Sequence, residues 1–192
     1  SSSHRNWWTG RVTPTGGSTS NRLKRVCVFA GSSPGNDPRF LDAARELGAA
    51  LAQRGVALVY GGANVGLMGA MANAALEGGG PVIGVIPRHL LDFEVAHTGI
   101  PDLRIVESMH ERKALMAELS DAFVALPGGF GTLEETFEVL TWRQLGLHQK
   151  PVVILNAEGY FDALVAFLEH MAARTPSAPA PMRITRPSLP RT

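Results

Sequence analysis

The densest chemistry in this sequence lies in Pro127-Gly-Gly-Phe-Gly-Thr-Leu-Glu-Glu135. The apolar run before it, Ala122-Phe-Val-Ala-Leu126, has the length of a buried strand. After it comes a helical stripe of Leu133, Phe137, Leu140 and Leu147. The chain thus passes from strand to helix through Gly128, Gly129 and Gly131. Such a turn offers backbone N–H groups at a helix N-terminus, where the helix dipole also favours negative charge. Glycine lets a ligand approach the backbone closely. A phosphate is the guest that this chemistry suits. The same stretch also reads as a capping box, with Thr132 capping the helix and Glu135 reaching back. It is neither a Walker loop nor a dinucleotide fingerprint: Gly-Lys-Ser/Thr is absent, and Glu134 stands where a third glycine belongs.

A second constellation is Ser108-Met-His-Glu-Arg-Lys113. Ser108 and Glu111 form a capping box that opens a helix. Arg112 and Lys113 then fall in its first turn, where the dipole disfavours a cation. That placement hints at an anion held between arginine and helix end. The plainer alternative is an exposed Arg112 paired with Glu107 or Glu111. His89, His97, His110, His148 and His170 show no metal-ligand spacing, so no metal site is expected. Ser32 and Ser33 have no evident histidine–carboxylate pair to activate them.

The elements that must carry these residues alternate. Strands are expected at 25–30, 56–60, 81–86, 103–106, 122–126 and 151–155. Helices are expected from Asp37-Pro38 to Gly55, from 67 to 76, after Ser108, after the glycine turn, and from 160 to 173. Alternation of this kind predicts an α/β fold: a Rossmann-like, doubly wound, mostly parallel sheet with helices on both faces. Ligands in such sheets bind beyond the carboxyl ends of the strands. That rule gathers the loops 31–35, 61–66, 87–94, 107–113 and 127–132 around one crevice. Residues 1–24 read as a disordered basic leader, 25–173 as the single domain, and 174–192 as a proline-rich basic tail without further strand or helix.

Charge and composition exclude other classes. The 192 residues carry a net charge of +1, but 26–170 hold nine basic against seventeen acidic residues. The core domain is therefore no nucleic-acid binder. No apolar run approaches the roughly 18 residues of a membrane helix. The single cysteine, Cys27, suits a reducing compartment, and a cytoplasmic protein is expected.

Met109-x-x-Arg112-Lys113 and Pro127-Gly-Gly-x-Gly-Thr-x-x-Glu135 together resemble the LOG ("Lonely guy") cytokinin riboside 5′-monophosphate phosphoribohydrolases, also filed as possible lysine decarboxylases. Cys27 to Ser33, Tyr60-Gly-Gly, Gly66-Leu-Met-Gly69, Gly84-Val-Ile-Pro87 and Thr141-Trp-x-Gln-Leu-Gly146 are similar as well, over about residues 25–172. The resemblance implies hydrolysis of the N-glycosidic bond of a nucleoside 5′-monophosphate, without a cofactor, by a homodimer. It gives Arg112 and Glu135 the catalytic roles. It puts the phosphate on Gly129, Gly131 and Thr132, and sets Ser32, Glu94, Met109, Lys113, Gly128, Phe130, Glu134 and Thr141 near the substrate. Two rival readings remain: a nucleotide-binding module without catalysis, and a pyridoxal-phosphate decarboxylase, which would need a Schiff-base lysine. Ala63 stands where the family has a third glycine, Phe130 where it often has tyrosine, and residues 174–192 depart from its pattern.

Overall fold

The computed structural model describes residues 23–91, 96–174 and 183–185. The leader, Glu94 and most of the tail lie outside the described residues. Seven parallel strands form one sheet in the order β4-β3-β2-β1-β5-β6-β7. They are β1 (Arg25–Phe29), β2 (Ala57–Tyr60), β3 (Val82–Pro87), β4 (Asp102–Val106), β5 (Ala122–Ala125), β6 (Val152–Leu155) and β7 (Arg183–Thr185). Five helices connect them: α1 (Pro38–Gln53), α2 (Gly66–Glu77), α3 (Met109–Leu119), α4 (Phe130–Gln144) and α5 (Asp162–Arg174).

The central strands are apolar on both faces, and this is why the sheet must be covered twice. Val26, Val28, Leu58 and Tyr60 pack with Ala44, Leu51, Met71 and Ala75 of α1 and α2. Cys27, Phe29, Val59 and Phe123 pack with Met116 of α3 and Val139 of α4. A third cluster, with Ala125, Ile154, Phe161 and Leu168, seats α5. The small residues of α2 serve helix–helix contact: a Cβ on Gly48 of α1 would lie 2.2 Å from the Met71 carbonyl oxygen.

Strand order places the site. The chain begins at the centre with β1, builds outward to β4, then crosses back to pair β5 with the other side of β1. The loops leaving β1 and β5 diverge there and open a crevice. They stay tied at their base, where Leu126 N–H donates to Phe29 O (2.9 Å) and Gly31 N–H to Pro127 O (3.1 Å).

Two expectations need correction. Residues 183–185 are not structureless tail: they add β7 to the edge of the sheet, with Ile184 opposite Ile154. A three-residue edge strand pairs on one side only and carries no periodicity to read. Thr132 is not a helix cap either. The N-cap of α4 is Gly129, without a side-chain hydrogen bond, so Thr132 sits inside the first turn and Glu135 lies beyond capping reach. The Ser108 cap does form, with Ser108 Oγ accepting from Glu111 N–H at 3.1 Å. Glu111 reaches back one residue further than expected, to the Glu107 N–H (2.8 Å).

Two histidines brace loops in the same way. His97 is buried; its Nδ1 accepts from Gly99 N–H (3.2 Å), and its Nε2 meets Asn73 Oδ1 at 2.9 Å. In His148, Nδ1 accepts from Lys150 N–H (3.1 Å), and Nε2 meets Val139 O at 2.9 Å. Both rings therefore carry their proton on Nε2 and are neutral, because a protonated Nδ1 would oppose the N–H that it now accepts. Burial lowers both pKa values below the ordinary 6.5. The unfolded chain then takes up protons first as the pH falls, so this stabilisation is complete above about pH 6.5 and is lost below it. The melting temperature is expected to drop as the pH falls from about 6.5 towards 5, and less steeply in His97→Gln, as followed by circular dichroism.

Candidate active site

A cleft of about 290 Å³ opens at the carboxyl edge where β1 and β5 part. Its walls come from the loops after β1, β2 and β5 and from the first turns of α3 and α4. Among the lining residues are Ser32, Met109, Arg112, Thr132, Glu134 and Glu135. Gly129, Phe130 and Gly131 form its α4 rim, and Gly61 lines the wall beneath Arg112.

Arg112 is the best-held of these side chains. Its surface is 4% exposed, although it stands in the first turn of α3. Nε donates to Val85 O at 3.0 Å, and Nη2 to Gly61 O at 2.8 Å. Nη1 lies 3.7 Å from Met109 Sδ. The guanidinium thus ties the ends of β2 and β3 together. Gly61 makes this possible, since a Cβ there would lie 2.2 Å from Nη2. The alternative of an exposed Arg112 paired with Glu107 or Glu111 does not hold. Glu107 pairs with Arg88 at 3.0 Å, and Glu111 accepts from the Glu107 backbone.

The loops interlock closely. Gly31 O accepts from Leu67 N–H at 3.0 Å. Gly66 has φ +59°, and a Cβ there would lie 2.3 Å from the Ser32 carbonyl carbon. Only glycine suits both the left-handed backbone and that approach. Thr132 is buried; its Oγ1 would lie 2.1 Å from a Cβ on Gly128, so Gly128 leaves room for the hydroxyl. Gly128 lies behind the lining rather than on it. Beneath the cleft, burial raises the Cys27 thiol well above its ordinary range, and the Glu135 charge raises it further. Cys27 is therefore a protonated core residue and not a nucleophile.

Besides Gly128, two residues expected near the substrate do not reach the lining. Lys113 turns away and bridges α3 to α4 through Glu134 (2.5 Å) and Glu138 (3.0 Å). Burial alone would lower its pKa, but these two bonds outweigh it and hold the ammonium above its ordinary range. Thr141 donates its hydroxyl to Phe137 O at 2.7 Å. Glu94 lies outside the described residues. Conversely, Met116 lines the cleft and had not been singled out. Met109, Arg112 and Met116 are spaced i, i+3, i+7, one helix face, which is the signal that could have found it.

This architecture and cleft define a doubly wound α/β protein with a glycine-capped helix N-terminus, an arginine and a carboxylate at its switch point. A family model described as "Possible lysine decarboxylase" matches residues 68–187. The chain is 56% identical over 158 residues to the probable cytokinin riboside 5′-monophosphate phosphoribohydrolase LOGL9 of Oryza sativa subsp. japonica, covering 82% of this chain and 70% of that protein. It is 52% identical over 149 residues to the cytokinin riboside 5′-monophosphate phosphoribohydrolase LOG1 of Arabidopsis thaliana, covering 78% and 70%. With the Rhodococcoides fascians enzyme of the same name it shares 53% over 158 residues, covering 82% and 80%. Among solved structures, the molybdenum cofactor binding protein of Rippkaea orientalis superposes with a TM-score of 0.64 at 25% identity, covering 86% of this chain and 91% of that one. The chain belongs to the LOG family of cytokinin riboside 5′-monophosphate phosphoribohydrolases.

Arg112→Lys is expected to destabilise the fold by about 1–3 kcal/mol. An ammonium lacks the planar fork that serves two carbonyls at once, so either Val85 O or Gly61 O loses its partner. Thermal or urea unfolding monitored by circular dichroism measures this.

Proposed function

We propose that this cleft hydrolyses the N-glycosidic bond of N6-prenylated adenosine 5′-monophosphate, releasing the free base, a cytokinin, and ribose 5-phosphate. The observation that carries this reading is the meeting of Arg112, Glu135 and the α4 N-terminus in one cleft. The 5′-phosphate lies on the backbone N–H groups of residues 129–132 and the Thr132 hydroxyl. The ribose then lies between Arg112 and Glu135. As the bond from C1′ to the base lengthens, positive charge grows on the sugar, and the Glu135 carboxylate stabilises it. Water adds at C1′; its hydroxyl stays on ribose 5-phosphate, and its proton leaves with the base.

The decarboxylase reading needs a neutral lysine facing the cleft. Lys113 is held charged by Glu134 and Glu138, and Lys150 donates to Ala117 O at 2.7 Å. The geometry of both argues against that chemistry. A non-catalytic nucleotide carrier would need the turn but not the Arg112–Glu135 combination; incubation with AMP and assay for free adenine separates the two. The assembly is a homodimer, supported by the exposed apolar residues Phe130, Phe137, Leu145 and Leu147 along and just beyond α4. The buried free Cys27 suits a reducing, cytoplasmic setting. Among the described residues no helix is long and apolar enough to cross a membrane.

Glu135→Gln keeps the shape but removes the charge. Release of ribose 5-phosphate from AMP and from its isopentenyl form is expected to fall roughly 10²- to 10⁴-fold in kcat. A folded variant with near-normal turnover would overturn the mechanism. Thr132→Val is expected mainly to raise KM for the monophosphate, and an unchanged KM counts against the phosphate position. Light scattering at micromolar concentration is expected to give a dimer mass; a monomer would overturn the assembly.

A further inference from the structure

The turn that rims the cleft carries two adjacent glycines, Gly128 and Gly129. The peptide unit joining them supplies the Gly128 carbonyl on one side and the Gly129 N–H on the other. A peptide flanked by glycines is the easiest to rotate, because neither residue has a Cβ to oppose it. An anion-binding N–H at that point needs something to hold its plane.

Tyr160, in the loop between β6 and α5, meets that requirement. Its hydroxyl donates to Gly128 O at 2.8 Å across 32 residues of sequence. The ring is clamped edge-on by Phe40 of α1, with centroids 5.4 Å apart, and by Phe161, 4.9 Å apart. The loop that carries it is fixed in turn by Asn156, which is buried. Asn156 Oδ1 accepts from Phe161 N–H (2.8 Å), and Nδ2 donates to Asp162 Oδ1 (2.7 Å). Its backbone N–H donates to Thr185 O of β7 (2.7 Å). Tyr160 does not line the cleft; it acts on the far side of the peptide that does.

We propose that Tyr160 is a positioning residue that fixes and polarises the Gly128–Gly129 peptide, so that Gly129 N–H is aimed at the substrate phosphate. A hydrogen bond to a carbonyl strengthens the donor at the other end of the same peptide, since charge shifts through the delocalised unit. Holding the plane also removes an entropic cost that the ligand would otherwise meet on binding. This inference rests on the phosphate position proposed above.

Tyr160→Phe removes the hydroxyl and keeps the ring between Phe40 and Phe161. In the free protein, the Gly129 amide proton is expected to move upfield in the nuclear magnetic resonance spectrum. KM for AMP is expected to rise roughly three- to tenfold, the range for one hydrogen bond, with kcat changed less than about twofold. The inhibition constant of ribose 5-phosphate should rise with it, while that of adenosine, which lacks the phosphate, stays put. A brace important only for stability would lower the melting temperature and leave this phosphate-selective change absent. An unmoved Gly129 amide overturns the proposal whatever the fate of the phosphate position. So does an equal weakening of adenosine and AMP, or an unchanged KM. If Thr132→Val raises KM while Tyr160→Phe does not, the phosphate position stands and the brace alone falls.

Discussion

The structure turns on a buried guanidinium. Arg112 lies in the first turn of a helix, in the less favourable half of the helix dipole, and is almost fully removed from water. A cation there is costly unless its donors are satisfied. Two main-chain carbonyls, from the ends of β2 and β3, satisfy Nη2 and Nε. Those carbonyls are available because both strands end at the same edge, in register through Tyr60 and Gly84. The close approach to Gly61 is possible because that residue has no side chain. Sheet topology, a glycine and a charge placed against the dipole are therefore parts of one arrangement, whose product is a buried arginine lining the cleft.

The opposite wall follows a different rule. There the helix presents its favourable end, and the α4 N-terminus is left open by a glycine cap instead of a side chain. A side-chain cap would consume one of the N–H groups that an anion needs. Thr132, which the pattern Thr-x-x-Glu suggests as the cap, is buried three residues into the helix, facing Gly128. The cleft so combines a fixed cation, fixed partial positive charge and the Glu135 carboxylate, while the charge of Glu134 on its rim is paired with Lys113. Such preorganised charge is what a transition state with a positive sugar and a negative phosphate requires.

Much of this was legible in the residues, for physical reasons. Strands buried on both faces must be continuously apolar, so β1, β2, β3, β5 and β6 stand out. Asp37 and Ser108 cap their helices as their types suggest. The glycine turn announces itself because few other residues can occupy it. What failed did so where local pattern underdetermines direction. The Thr132 pattern holds for a cap, but its register depends on where the helix begins, and the glycines allow it to begin earlier. Lys113 sits next to Arg112 in sequence, yet neighbours on a helix point about 100° apart. One enters the cleft, and the other leaves for Glu134 and Glu138. Thr141 satisfies its hydroxyl on its own helix, a local choice that spacing cannot reveal. β7 is held by its pairing with β6, by Ile184 against the cluster that seats α5, and by Thr185 O on Asn156, contacts invisible along a short proline-flanked segment.

That last contact joins the overlooked strand to the site. β7 accepts the Asn156 N–H, Asn156 fixes the loop that carries Tyr160, and Tyr160 holds Gly128. The glycine turn is therefore supported on two sides by different means. On its inner side Gly31 and Pro127 bind it to β1, the first strand laid down and the centre of the sheet. On its outer side the support comes from the last strand of the sheet. A sheet edge is normally its least constrained part, because its strand pairs on one side only. Placing a brace of the turn there makes the geometry of the turn depend on whether residues 183–185 are docked. Changes in the C-terminal segment should thus be felt at the glycine turn before they reach Arg112, whose carbonyl partners lie on β3 and just past β2, on the far side of β1.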